Sequence, residues 1–220
     1  MIVGKLVERG AQRLRDRMIE MRRLNAGYSA EDFRAAARRC FEEAGDLKTT
    51  VDYEAPSGIY WNDETYQGEA YAGYAWSCDV AEVEIDLVEY GARVTNFTSV
   101  VECGRVINPD LAAGQIEGGI AQGVGFALYE SVVLERGAMK NNQYTNYIIP
   151  TAADTPDIHV EFIEFPYSNP GPFSAKGIGE MPIDGPAPAI ASAVAHALSG
   201  QFINEIPILP ERIYERAGSS

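Results

Sequence analysis

Over residues 4–24, apolar Leu6, Val7, Leu14, Met18 and Met21 recur at spacings of three, four and seven among arginines, the period of an amphipathic helix. Ser29 followed by Asp32 predicts a capping box and a second helix over 30–44, which Gly45 ends. Residues 49–77 mix Tyr, Gly and polar groups around Pro56 and Gly58, predicting a loop with at most a short strand at 50–53. From Val80 the pattern alternates strictly, VAEVEIDL, and alternation resumes after Glu89-Tyr90-Gly91 over 93–101; that predicts a hairpin with one buried face. Asn108-Pro109-Asp110 signals a helix start, and the following LAAGQIEGGIAQGVGFALYE is helical in period but rich in glycine. A further alternating pair, 131–134 and 144–149, is expected to join through Arg136-Gly137, with another strand at 158–165. A Pro/Gly-rich loop over 166–185, a small-residue helix over 186–198 ending at Gly200, and a short helix over 210–216 complete the chain. Helices and hairpins in this order predict an α+β fold, with N-terminal amphipathic helices at 1–48 and an α+β domain at 49–220, together one continuous unit.

At 220 residues, with 46% apolar and 23% charged, the chain is long enough to bury a core without cross-links. The net charge of −14 makes nucleic acid and anionic membranes poor partners, because both select clustered cations. That charge is uneven: residues 1–48 carry 11 Lys/Arg against 8 Asp/Glu, and residues 49–220 carry 7 against 24. A basic helical front on an acidic body suits either a docking element or a solvated amphipathic helix. Cys40, Cys78 and Cys103 are odd in number and lack CxxC spacing, so they make neither a disulfide framework nor a zinc or iron–sulfur site. Only His159 and His196 are present, in unrelated segments and expected to be structural, which removes most zinc hydrolases and Ser-His-Asp enzymes. Apolar stretches fall short of the roughly 18 residues of a membrane span, and the N-terminus lacks the apolar core of an export signal; the expected location is cytoplasmic.

Two segments carry candidate chemistry. In the first, Gly114, Gly118, Gly119, Gly123 and Gly125 each cost a helix about 0.8–1 kcal/mol relative to alanine, so something must approach that backbone closely. Ile116, Ile120 and Val124 form the buried stripe, whereas Gln115, Gly118, Gly119 and Gln122 share another face. A bare patch between two amides suits a flat, polar ligand; close helix packing explains it equally. In the second, PGPFSAKGIGEMP, Glu180 follows Gly177 and Gly179 and precedes Pro182, on a turn where backbone can reach a ligand. Glu180 is a candidate general base or a solvent-exposed loop residue. Lys176, the only Lys or Arg between residues 141 and 211, would meet an anionic ligand or a partner carboxylate.

Taken in order, ECGRVINP, GQIEGGIAQGVGFALYE, NYIIPTAADTPDI, AKGIGEMP and EIPILPERI resemble the C-terminal part of the molybdenum-binding subunit of the xanthine dehydrogenase and aldehyde oxidase family. The opening GKLVERGAQRL and the VAEVEIDLVEYG hairpin are also similar. The resemblance implies a molybdopterin-binding domain with mixed sheets and packed helices. It places Gln115 with Gly118 and Gly119 at the pterin, Gly177 and Gly179 beside it, and Glu180 as the catalytic glutamate. The reaction implied is oxidative hydroxylation of an N-heterocycle or aldehyde with water as oxygen source. The metal would be held through the pterin dithiolene, without protein ligands. The cofactor could carry the cytosine dinucleotide form, and iron–sulfur clusters and FAD are expected on partner subunits. Family subunits are several hundred residues longer, so the chain is expected to complete its site with a companion chain or to be part of a longer one.

Two other readings stay open. One is a scaffold or assembly subunit without cofactor, which would need neither Gln115 nor Glu180. The other is a glycosidase-like enzyme pairing Glu180 with a second acid that the sequence does not single out.

Overall fold

The computed structural model describes residues 2–54, 58–71, 73–165 and 172–217. The chain divides into two compact units, Met1–Gly73 with Ser168–Ala175, and Tyr74–Tyr167 with Lys176–Ser220. The first unit therefore extends past the boundary expected at residue 48 and takes in a later segment.

In the first unit, α1 (Ile2–Glu20) and α2 (Ala30–Ala44) bury Met18, Leu24, Ala36 and Cys40 in a small core, with Phe33 and Leu47 packed against it. The α2 start is fixed locally: the Ser29 hydroxyl accepts from the Asp32 N–H while the Asp32 carboxylate accepts from the Ser29 N–H. Those bonds hold the Asp32 carboxyl below its usual range. Gly45 closes the helix at φ 74°, where a side chain would be strained. Residues 50–53 form no strand, so that expectation is corrected; the unit's only described strands are β1 (Trp61–Asn62) and β2 (Gln67–Gly68), a short antiparallel pair.

The second unit holds the main core. Its sheet has the order β3 (Trp76–Ile85), β4 (Ala92–Glu102), β7 (Asp157–Phe162). Strands β3 and β4 pair antiparallel from Trp76↔Glu102 to Ile85↔Ala92, and β7 runs parallel to β4 from Asn96↔Asp157 to Val101↔Phe162. Thr95 is the extra residue of a bulge where Glu82 faces Asn96 and Val83 faces Val94. The bulge shifts the alternation by one, so Val94, Phe97 and Val101 all turn into the core. Helix α3 (Pro109–Leu128) is capped by Asn108, whose side chain accepts from the Leu111 N–H, and it lays Ile116, Ile120 and Val124 into the same core. Expected strands at 131–134 and 144–149 are replaced by a tighter hairpin, β5 (Leu134–Glu135) with β6 (Ala138–Met139), turning at Arg136 and Gly137. Both turn residues have positive φ, 52° and 80°, which fits a two-residue hairpin turn. In the expected loop over 166–185, Pro172–Ser174 belong to the first unit and turn with Phe173 and Ser174 at positive φ, 51° and 65°, and the short α4 (Met181–Asp184) belongs to the second; residues 166–171 lie outside the described residues. Helices α5 (Pro186–Ala197) and α6 (Pro210–Ala217) follow, adding Ile190, Val194 and Ile213 to the core. Among the described residues no helix is long and apolar enough to cross a membrane.

Candidate functional site

The glycine-rich helix and the GIGE turn meet in the second unit. Gln115 Nε2 donates to the Gly179 carbonyl at 3.4 Å, so the two candidate segments, 64 residues apart in sequence, share one surface. Gln115, Gly118, Gly177, Gly179 and Glu180 are exposed along it.

The helix glycines fall into two sets. A β-carbon at Gly119 would overlap the Pro182 side chain and lie 2.9 Å from its carbonyl carbon. At Gly123 it would come within 2.5 Å of Pro186 Cβ, and at Gly125 it would overlap the Glu130 carboxylate and lie 2.7 Å from Pro150 Cδ. Real β-carbons do not approach this closely, so these three glycines admit prolines against the helix. At Gly114 and Gly118 a β-carbon would meet nothing within 4 Å among the described residues. Gly119, expected on the bare face with Gly118, is thus accounted for by packing, and the open patch narrows to Gly114, Gln115 and Gly118.

Glu180 stands at the N-terminal end of α4 and caps nothing with its side chain; its carbonyl accepts from the Ile183 N–H at 3.0 Å. The contact of Pro182 with Gly119 fixes the backbone two residues downstream. Upstream, Lys176 is buried rather than facing a ligand: its ammonium donates to Glu102 Oε2, and the two side chains are 4% and 8% exposed. Glu102 Oε1 accepts from the Gly104 N–H at 2.8 Å, and the Lys176 N–H donates to the Cys103 carbonyl at 2.7 Å. Burial first, and then the Glu102 and Glu164 carboxylates, push the Cys103 thiol up. Of the two expectations for Lys176, an anionic ligand or a partner carboxylate, the structure gives the second; that the carboxylate is Glu102 was missed from sequence.

The histidines do not join this surface. His159 lies exposed on β7, and His196 is exposed on the last turn of α5. There it lines a separate groove of about 550 Å³ with Ser77, Asp79 and Ser192. Among the described residues no three His, Cys, Asp or Glu side chains cluster to hold a metal ion.

A carboxamide, two open helix glycines and an exposed carboxylate on a glycine turn could hold a flat, polar ligand. The open β-carbon positions at Gly114 and Gly118 leave room for one along that face. The fold is thus a mixed helix-and-sheet arrangement whose second unit gathers these residues on one exposed surface.

Comparison with known proteins gives the family. The family model for the molybdopterin cofactor-binding domain matches residues 1–156, and the chain belongs to that family. It is 35% identical over 156 residues to the 6-hydroxypseudooxynicotine dehydrogenase complex subunit gamma of Paenarthrobacter nicotinovorans, covering 70% of this chain and 20% of the relative. It is 30% identical over 189 residues to the aldehyde oxidoreductase of Megalodesulfovibrio gigas, covering 86% and 20%. Among solved structures, the aldehyde oxidoreductase from Desulfovibrio gigas superposes with a TM-score of 0.70 at 28% identity, over 81% of this chain and 19% of that one. The quinoline 2-oxidoreductase from Pseudomonas putida 86 superposes at 0.57 with 39% identity, over 62% and 18%. The chain therefore spans about a fifth of the length of these relatives, which are named as oxidoreductases or as a subunit of a dehydrogenase complex.

Proposed function

We propose that this chain supplies the general base and part of the pterin site of a molybdenum hydroxylase acting on an N-heterocycle or aldehyde, with water as oxygen source. The observation that carries this reading is the meeting of Gln115 with Gly179, which brings an open helix face and the Glu180 turn onto one surface. When bound, the molybdopterin group supplies the two-electron redox chemistry. Within this chain the Gln115 carboxamide hydrogen-bonds the group, Gly118 lets it approach the helix, and Gly177 and Gly179 keep side chains clear of it. Glu180 holds the proton removed during hydroxylation at its carboxylate oxygen.

Glu180 is exposed within the chain, so the exclusion of water that sharpens a base comes from a companion surface. The relatives' greater length supports a companion chain or longer protein that completes the site. Iron–sulfur and FAD subunits complete the electron path, since neither kind of site is seen in this sequence. The cytosine dinucleotide form of the pterin belongs to the same reading.

The test is purification from the native host, with molybdenum measured by elemental analysis and companions identified by mass. Glu180→Gln preserves shape and removes the base: molybdenum content stays at the wild-type level while turnover falls by about 10²–10⁴. Turnover near wild type in that variant removes Glu180 from the mechanism. An assembly with companions but no molybdenum supports the scaffold instead.

A further inference from the structure

We propose that the buried Lys176–Glu102 ion pair is a positioning clamp for the Glu180 turn. This role rests on the proposed function of Glu180, although its structural half is testable alone. Glu102 closes β4, and three bonds converge there on the start of the turn. The Lys176 ammonium donates to Glu102 Oε2, the Gly104 N–H donates to Glu102 Oε1, and the Lys176 N–H donates to the Cys103 carbonyl. Residue 176 is thereby fixed to the end of the central strand. The next residues are Gly177, then Ile178 packed against the core, then Gly179 accepting from Gln115. Two residues past Glu180, Pro182 sits in the gap left by Gly119. The backbone that carries the Glu180 carboxylate is thus held between an ionic anchor four residues before it and a packed proline two residues after it.

A purely stabilising role accounts poorly for the pair. Taking two charges out of water costs much of what their attraction returns, and apolar side chains of similar volume commonly serve stability as well or better. An ion pair does give directed, charge-assisted bonds with a defined length. Direction matters on this segment because two glycines of the turn offer no side chain to pack. Lys176 and Glu102 touch neither substrate nor cofactor in this account; they act through the backbone of residues 177–180.

The variants are Glu102→Leu with Lys176→Met, made together so that no charge is left unpaired, and Glu102→Gln, which keeps the shape and one acceptor. Each is purified from the native host in the assembly that wild type forms. Amide hydrogen exchange is followed at residues 177–180, thermal unfolding is recorded, and turnover is measured with quinoline, xanthine and benzaldehyde and a dye acceptor. For the double variant the expected result is wild-type unfolding temperature, exchange faster by at least tenfold at 177–180, and kcat down about 100-fold with KM unchanged, the scale of a displacement of about 1 Å. Glu102→Gln moves exchange and kcat together, by about tenfold, and decides the matter should the double variant fail to assemble. Exchange within twofold of wild type in a folded variant overturns the clamp, as does faster exchange with unchanged kcat. If wild type oxidises none of the three substrates, the proposed activity fails while exchange still decides the clamp. Glu180→Gln, with normal exchange and lost turnover, separates loss of the base from loss of its placement.

Discussion

The two sets of glycines in α3 have the same composition and opposite uses. Gly119 and Gly123 are closed by Pro182 and Pro186, and Gly125 by Glu130 and Pro150, so the helix-propensity cost of each is offset by a tighter seam against α4, α5 and the 130 and 150 regions. Gly114 and Gly118 cost the same, and a β-carbon at either would meet nothing within 4 Å among the described residues. These two are the positions that the proposed function assigns to ligand access. The comparison separates structural glycines from candidate binding ones within a single helix, where sequence treats them alike.

Substitution should widen the contrast. Gly119→Val has the largest expected effect: it drives a branched side chain into Pro182 and its backbone and should destabilise by about 1–3 kcal/mol or more. Urea unfolding measures it, and an unchanged midpoint would mean that the seam is slack. Gly123→Ala meets only a proline ring, whose Cβ lies 2.5 Å away, and gains helix propensity in return, so a net loss of about 1 kcal/mol is expected by the same assay. Gly118→Ala carries the opposite sign, stabilising by about 0.5–1 kcal/mol, or about 2–4 °C in Tm for each 1 kcal/mol at this chain length. Molybdenum content should fall in that variant despite the added stability. Higher stability with full molybdenum content would show that the open face is simply solvated.

Legibility of the fold followed the range of the interactions. The Ser29–Asp32 box, the Asn108 cap and the β3–β4 hairpin depend on near neighbours, and each is written in the sequence. The alternation at 144–149 misled because a strand needs a partner. The chain turns back at Arg136-Gly137 as expected, but Ala138–Met139 take the pairing, and Tyr144, Ile148 and Ile149 remain exposed. The Thr95 bulge reverses which β4 residues face inward, a change of parity that alternation alone does not reveal.

The candidate site was legible in its parts and not in its joints. Gln115, the helix glycines and Glu180 could be singled out by residue type and order. That Gly119 serves packing, and that Lys176 answers to a glutamate 74 residues earlier, depends on contacts between distant segments. Neither partner lies within one turn of helix or one hairpin, where spacing rules operate.

The central claim is that this chain forms part of a pterin site rather than a scaffold of the same fold. The most direct test is the molybdenum content, per copy, of the assembly purified from the native host, comparing wild type with Gly118→Ala. The account predicts about one molybdenum per wild-type copy and a clear loss in the variant, whose unfolding temperature is unchanged or higher. A wild-type assembly without molybdenum, or equal content in both proteins, would contradict it.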